Sequence, residues 1–149
     1  MTQEFSLGEK ERIRLGRENC PCIALRKSTR AVTRRYDEVL DPVGLRATQL
    51  VILLELAYHG SATLSRLADL LVMEKSTLSR NLKPLESRGL LGFAQGEGRH
   101  KLVQLTDEGV IKVRKAIPLW MEAQSETRHK ADDRDWDTVL DTLDTLSAG

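Results

Sequence analysis

Apolar residues recur at spacings of three and four through most of this chain, which is the period of an amphipathic helix. The first clear stripe runs from Asn19 to Leu40, and Pro21 is allowed in its first turn because its missing N–H would have no helical partner there. Asp41-Pro42 and Gly44 end this helix. Residues 1–18 have few apolar positions and many charges, so they predict a mobile arm or a marginal helix.

Three more helices are predicted in the middle of the chain. One spans about 47–58 and is apolar nearly all round, which indicates burial on most sides. The next spans about 64–71 after Thr63 as its N-cap, and the third spans about 75–88 and ends at Gly89. The third helix has leucines on one side, and Pro84 inside it should bend it. Its other side is small, polar and basic, formed by Ser76, Ser79, Arg80, Lys83 and Ser87.

A hairpin and two long helices complete the pattern. Residues 90–95 and 101–105 read as two strands around a turn with two glycines. Thr106 then caps a helix that should reach about Lys130 with an interruption near Pro118, and a last helix spans about 133–146. The sequence therefore predicts a mostly α fold with a small β-hairpin.

Composition agrees with one helical domain over residues 1–149. Aromatic residues make up only 4% of the chain, which favours helix-on-helix packing over a sheet sandwich. No apolar run approaches the ~20 residues of a membrane span, and the first residues are charged where a signal peptide would be apolar. We therefore expect a cytoplasmic protein.

The net charge of +1 is spread unevenly. Nine Lys and Arg face three acidic residues between Glu9 and Arg35, whereas six Asp face one Arg between Ala131 and Gly149. This asymmetry is typical of a protein with one side toward a polyanion, and equally of solvated helix faces that happen to differ. It supports nucleic-acid binding only in combination with a motif.

The motif is a helix-turn-helix followed by a hairpin. Two short helices joined by a tight turn at Val72-Met73, the second with a basic outer face, predict a unit whose second helix enters the major groove. The hairpin makes the unit winged. Arg80 has the donor fork that pairs with guanine, and Arg99 at the hairpin tip is placed to enter a narrow minor groove. Taken singly, each cation is as well explained as an ordinary solvated side chain.

The DNA-binding residues predicted on this basis are of two groups. Those of the helix have short hydroxyls that allow close approach to phosphates, or cationic ends that bind phosphates and bases. They are Lys75, Ser76, Thr77, Ser79, Arg80 and Lys83, joined in the hairpin by Arg99, His100 and Lys101.

At this point the sequence resembles the MarR-type winged-helix transcriptional regulators. The matching strings are LSRLADLLVMEKSTLSRNLKPLESRGLL, the hairpin GEGRHKLVQL and LTDEG, and the resemblance runs from about Cys22 to the C-terminus. It implies a winged helix-turn-helix lobe over 45–106 and an interlocked homodimer formed by helices of 19–40 and 107–146. It further implies a repressor on a palindromic operator that a small aromatic or anionic ligand releases. Arg46 departs from the family, which commonly has Thr at that position.

The dimer also has support from the residues themselves. The apolar stripes of the first strong helix and of the last helix are long for a chain with a thin central core. Some of that surface should therefore meet a second copy.

Cys22 is the candidate switch. It lies in a first helical turn near Lys and Arg, where thiol reactivity is raised, but it also lies on the apolar stripe, where an inert core cysteine is expected. The segment CIALRKSTRAVTRRY resembles the first helix of the organic-hydroperoxide-sensing branch, which implies a peroxidatic Cys22 with Tyr36 as its hydrogen-bonding partner. Because 14 residues span about 21 Å of helix, these two would meet only across a dimer contact. Ala47 stands where that branch has a second tyrosine.

Other classes of protein fit this sequence less well. A small thiol-dependent enzyme would need a nucleophile paired with a base, and no local motif supplies one. Cys20, Cys22, His59, His100 and His129 do not have zinc-site spacing. We therefore expect a non-enzyme without cofactor or metal, and the remaining alternative is a DNA-coating protein without sequence preference.

Overall fold

Helices make up most of the chain, and three short strands form one antiparallel sheet. The computed structural model describes residues 4–96, 98, 100–131 and 135–148. The chain divides into two compact units, residues 1–34 and residues 35–149. Among the described residues the helices are α1 Leu7–Glu18, α2 Pro21–Leu40, α3 Ala47–His59, α4 Leu64–Leu70, α5 Lys75–Ser87, α6 Asp107–Lys130 and α7 Trp136–Ser147. The strands are β1 Ser61–Thr63, β2 Leu91–Gln95 and β3 Lys101–Leu105. The predicted mostly α fold with a β-wing is confirmed.

The N-terminal segment forms a helix, the second of the two states predicted for it. Ser6 and Glu9 make a capping box at its start: Glu9 N–H donates to Ser6 Oγ at 3.3 Å, and Ser6 N–H donates to the Glu9 carboxylate at 2.8 Å. This pair satisfies N–H groups that have no partner inside the helix. None of the residues of α1 is buried.

The core lies in the second unit and is built mainly of leucine. Leu50, Ile52, Leu53 and Leu56 of α3 are all buried, as the unbroken apolar run predicted. Buried leucines of α4 and α5 and Val103 of β3 join the same cluster. Burial of a leucine side chain stabilises a fold by about 1.5–3 kcal/mol, so this cluster holds the helix-turn-helix to the sheet.

The sheet has a third strand that the sequence analysis missed. β1 pairs with β3 from Ser61 opposite Gln104 to Thr63 opposite Leu102, and β2 pairs with the other edge of β3. Three residues are too few for an alternating pattern to show. Ala62 is buried, and Thr63 both ends β1 and caps α4 by accepting a hydrogen bond from Arg66 N–H. The sheet therefore fixes where α4 begins.

The predicted interruption near Pro118 is wrong, since α6 runs without a break from Asp107 to Lys130. Proline removes only the hydrogen bond to the Arg114 carbonyl, and both residues lie on the exposed side of the helix. Ala116 and Ala123 on the other side are completely buried. Packing on both sides of the proline therefore holds the two halves of α6 in line.

The start of α3 shows how the chain manages without the usual Thr at position 46. Arg46 has no hydroxyl to cap the helix, but Ala47 N–H donates to the carboxylate of Asp37 at 2.7 Å. Arg46 N–H donates to Gln49 Oε1 at 3.1 Å. Asp37 lies on α2, so a side chain from a neighbouring helix caps α3.

No helix in the described ranges is long and apolar enough to cross a bilayer.

Candidate nucleic-acid interface

Helix α5 has one packed side and one open side. Leu78, Leu82 and Leu85 are buried in the core, which fixes the rotation of the helix about its axis. The positions between them therefore face outward. Lys75, Ser76, Arg80 and Lys83 are exposed, and Thr77 and Ser79 are half-buried at the edges of that face. All six predicted helix residues thus lie on or beside one surface.

Arg80 occupies the middle of that surface. Its guanidinium donates to Thr77 Oγ1 one turn earlier at 3.3 Å. The bond holds the side chain along the helix and leaves most of its donors available. A guanidinium pre-positioned in this way loses less side-chain freedom when it pairs with a base or a phosphate.

Helix α5 continues through Pro84, and its last turn is closed by two further hydrogen bonds. The hydroxyl of Ser87 donates to the Lys83 carbonyl at 2.6 Å, and Arg88 N–H donates to the Pro84 carbonyl at 3.2 Å. Pro84 and Arg80 are both exposed, so the carbonyl that proline leaves without a partner lies on the solvent side. The helix continues to Ser87 before Gly89 reverses the chain with φ of 69°.

The wing is a closed hairpin. Gln95 pairs with Lys101 at its end, and Gly96 N–H donates to the His100 carbonyl at 2.8 Å. A Cβ on Gly96 would lie 3.0 Å from Leu102 Cγ and 3.1 Å from the His100 carbonyl, so a larger residue would make these neighbours shift by a few tenths of an ångström. His100 and Lys101 are exposed at the tip, while the predicted Arg99 lies outside the described residues.

The structure brings α5 and the wing together at a cleft of about 260 Å³. Ser79 and Lys83 of α5 and Lys101 of β3 line it, above apolar side chains that include Phe93. Sequence reasoning placed Ser79 and Lys83 in the helix group and Lys101 in the hairpin group, and it missed Phe93, which is 47% exposed on β2. The sequence signal that could have indicated Phe93 was an aromatic residue inside the predicted strand 90–95.

The two candidate sensing residues lie in different units. Cys22 is exposed, so the alternative of an inert core cysteine does not hold within the subunit, where none of the α2 residues before Leu40 is buried. Tyr36 is half-buried against the leucine core. Burial raises the pKa of its hydroxyl above the ordinary value, and a hydrogen bond with Thr127 opposes that rise.

A second cavity lies between α3, β3 and α6. Its volume is about 430 Å³, within the range of small-molecule sites. Leu56, Val113 and Ile117 contribute to its apolar walls, and Arg114 is the one charged residue among the described residues that line it.

No group of three or more His, Cys, Asp and Glu in the described part of the chain could hold a metal ion.

Comparison with known proteins decides the family. The MarR family model matches residues 45–98. The organic hydroperoxide resistance transcriptional regulator of Bacillus subtilis is 31% identical over 104 residues, which are 68% of this chain and 71% of that protein. The chain belongs to the MarR family.

Solved structures agree. The Mycobacterium tuberculosis regulator MosR in complex with DNA is 33% identical, with a TM-score of 0.79 over 87% of this chain and 94% of that one. A mutant of Escherichia coli MarR, complexed with operator DNA, shares the fold at 21% identity, with a TM-score of 0.75 over 91% of this chain and 99% of that one. This MarR-family chain is therefore a DNA-binding transcriptional regulator and not an enzyme.

Proposed function

We propose that this MarR-family protein is a repressor that binds a palindromic operator as a homodimer and is released by a small aromatic or anionic ligand. The observation that carries the proposal is the exposed polar and basic face of α5 beside the lysine of the wing. A helix with this face fits the major groove, and a wing reaches the neighbouring phosphates.

Each residue has a separate role in this proposal. Arg80 reads a guanine through its donor fork, and Ser76 and Ser79 contact bases or phosphates at close range. Lys75, Lys83 and Lys101 bind backbone phosphates. Thr77 positions Arg80 through their hydrogen bond, and Arg99 and His100 contact DNA from the wing tip.

The homodimer is supported by apolar surface on the terminal helices. Leu25 and Val32 of α2 are 37% and 38% exposed, and Leu146 of α7 is 62% exposed. Monomeric proteins rarely leave such stripes open to water. We assign residues 19–40 and 107–146 to the dimer interface and 45–106 to the DNA-binding lobe, in one domain of 149 residues. A two-fold dimer matches a palindrome because both have the same symmetry.

The cavity between α3, β3 and α6 is the proposed ligand site. Its apolar walls suit an aromatic ring, and Arg114 supplies a positive charge for a carboxylate. The cavity joins an element of the DNA-binding lobe to a dimer helix. A ligand there can change the angle between them and hence the spacing of the two α5 helices, which must match the operator.

A second candidate switch is oxidation of Cys22. It is supported by the exposure of Cys22 and by the similarity to the organic hydroperoxide resistance transcriptional regulator of Bacillus subtilis. The Cys22 thiolate attacks the terminal oxygen of an organic hydroperoxide, forming an S–O bond as the O–O bond breaks; Cys22 becomes a sulfenic acid, and the departing alkoxide takes a proton from water to become an alcohol. Tyr36 of the second subunit then contacts the modified cysteine, as the resemblance implies.

The test begins with selection of binding sites from a random DNA library by the full chain. We expect an enriched palindrome whose footprint covers both half-sites. Binding to every sequence with equal affinity would instead identify a DNA-coating protein and overturn the proposal.

Effectors are then added to the footprint. Salicylate-like aromatic acids should release the wild type, and Arg114→Gln should resist them. Release by cumene hydroperoxide that is lost in Cys22→Ser identifies the redox switch, whereas peroxide release that persists in Cys22→Ser excludes it.

A further inference from the structure

Helices α1 and α2 enclose a cleft of about 540 Å³ in the first unit, which the proposed function does not use. Cations from both helices line it: Arg14 and Arg17 come from α1, and Lys27 and Arg30 come from α2. Glu18 is the one acidic residue in the described lining. The volume is within the range of small-molecule sites.

The charge of this cleft is not balanced internally. Glu18 is neutralised by Arg14, whose guanidinium donates to it at 2.7 Å and to Glu11 at the same distance. Within the described part of the chain, no side-chain hydrogen bond or ion pair engages Arg17, Lys27 or Arg30. Among the described residues, the cleft therefore holds three exposed positive charges without a counter-charge, which gives it a positive potential that attracts anions.

The helical period explains why the cations converge. Cys20, Ala24, Lys27 and Arg30 follow each other at spacings of three and four, so they lie on one face at the start of α2. Ile23 and Ala24 give the lining an apolar part. Two arginine forks and a lysine ammonium suit the oxygens of a phosphate group, and the apolar part suits the organic portion of a phosphate ester.

We propose that this cleft binds the phosphate group of a small molecule through Arg17, Lys27 and Arg30. Cys20, Lys27 and Arg30 belong to the range 19–40 that we assign to the dimer, whereas none of the cleft residues belongs to α5. Protection of a cleft residue reports on the phosphate site and a DNA footprint reports on operator binding, so failure of one proposal is distinguishable from failure of the other.

Cys20 provides a built-in reporter for the site. It lines the cleft and is half-buried, whereas Cys22 is exposed and does not line it. The full chain is alkylated with the neutral reagent iodoacetamide at increasing pyrophosphate, and both cysteines are followed by mass spectrometry. Sodium chloride keeps the ionic strength constant, since screening alone weakens any surface charge effect.

We expect pyrophosphate to slow alkylation of Cys20 in a saturable manner while Cys22 reacts at its original rate. Equal slowing of both cysteines, or the same slowing with chloride alone, would overturn the proposal. A duplex of random sequence that protects Cys20 more tightly at equal phosphate concentration would also overturn it, in favour of a nucleic-acid backbone.

Variants test two of the three cations, one from each helix. Arg17→Gln and Lys27→Gln should each weaken pyrophosphate protection about tenfold, as expected when a charge-assisted hydrogen bond is removed. Arg12→Gln on α1 is the matched control, because Arg12 is exposed and does not line the cleft. Circular dichroism verifies that all variants keep their helices. Unchanged protection in both cleft variants would reject the assignment.

Discussion

The hydroxyl of Thr106 donates to the Gly89 carbonyl at 2.5 Å, across 17 positions of sequence. The same oxygen accepts a hydrogen bond from Gly109 N–H at 3.1 Å and so caps α6. One side chain therefore ties the turn after α5 to the start of the long helix α6. Thr106 is the threonine of the LTDEG string, and these two hydrogen bonds give it a structural role: it connects the winged lobe to a proposed dimer helix.

Thr106→Val should destabilise the fold by about 1–2 kcal/mol, because it keeps the shape of the side chain and removes the N-cap oxygen. The measurement is urea unfolding followed by circular dichroism. Thr48→Val, at an exposed position of α3, is the control and should change stability by less than about 0.5 kcal/mol. Equal effects of the two variants would refute the role of Thr106.

Gly109→Ala should destabilise by about 1–3 kcal/mol or prevent folding, since the added Cβ would penetrate the backbone carbonyl of Leu90. Gly16→Ala in α1 is the matched helical control, because a Cβ there meets nothing within 4 Å. It should stabilise by about 0.4–1 kcal/mol. Thermal unfolding compares the two variants, and a stable Gly109→Ala protein would contradict the close approach of α6 to the wing.

Val72→Asn should stabilise the chain by about 1 kcal/mol. Val72 lies in the turn between α4 and α5 with φ of 50°, a left-handed conformation that costs a non-glycine residue about 1–2 kcal/mol. Asparagine tolerates this conformation better than a β-branched residue, and the side chain is 70% exposed, so the change removes little buried surface. Val51→Asn on α3 is the control and should not stabilise. A melting temperature of Val72→Asn below that of the wild type would contradict the backbone strain assigned to Val72.

Arg80→Ala should weaken operator binding by about 1–3 kcal/mol and relax the preference at one base pair of each half-site. Lys83→Ala should weaken all sequences alike and reduce the salt dependence by about one unit of log slope for each phosphate that is no longer neutralised. Fluorescence anisotropy with the operator and a scrambled duplex at several salt concentrations separates the two effects. If Arg80→Ala weakens binding to the operator and to the scrambled duplex equally, Arg80 does not contribute to base recognition.

Acid should selectively weaken the link between α2 and α6. Arg35 Nε donates to the Glu126 carboxylate at 2.6 Å, and this bond lowers the pKa of Glu126 below its ordinary value of 4.5. A carboxylate with a lowered pKa in the folded state stabilises the fold above its ordinary pKa, and that contribution disappears as pH falls through the lowered value. The stability difference between wild type and Glu126→Gln should therefore shrink as pH falls below the ordinary pKa of 4.5. Unfolding by urea at a series of pH values measures this difference, and a difference that stays constant with pH would contradict the role of the Arg35–Glu126 bond.

The helix boundaries and the exposed polar face of α5 followed from the sequence because they depend on local rules. Leucines at helical spacing bury one side of a helix, and a glycine after the last turn ends it. The alternation of packed leucines with Ser76, Arg80 and Lys83 was therefore enough to predict which side of α5 is exposed, polar and basic. It also predicted that terminal stripes would remain uncovered in one subunit, as Leu25 and Leu146 show.

The tertiary structure decided what depends on contacts between distant residues. β1 forms only because β3 lies beside it, and α6 continues through Pro118 because buried alanines hold both sides of the proline. Asp37 caps α3 from another helix, so no pattern near Arg46 indicated it. In the same way, the cations of α1 and α2 meet at one cleft only after the chain turns between the two helices. A sequence states which side of each element is apolar, whereas packing determines which polar groups are brought together.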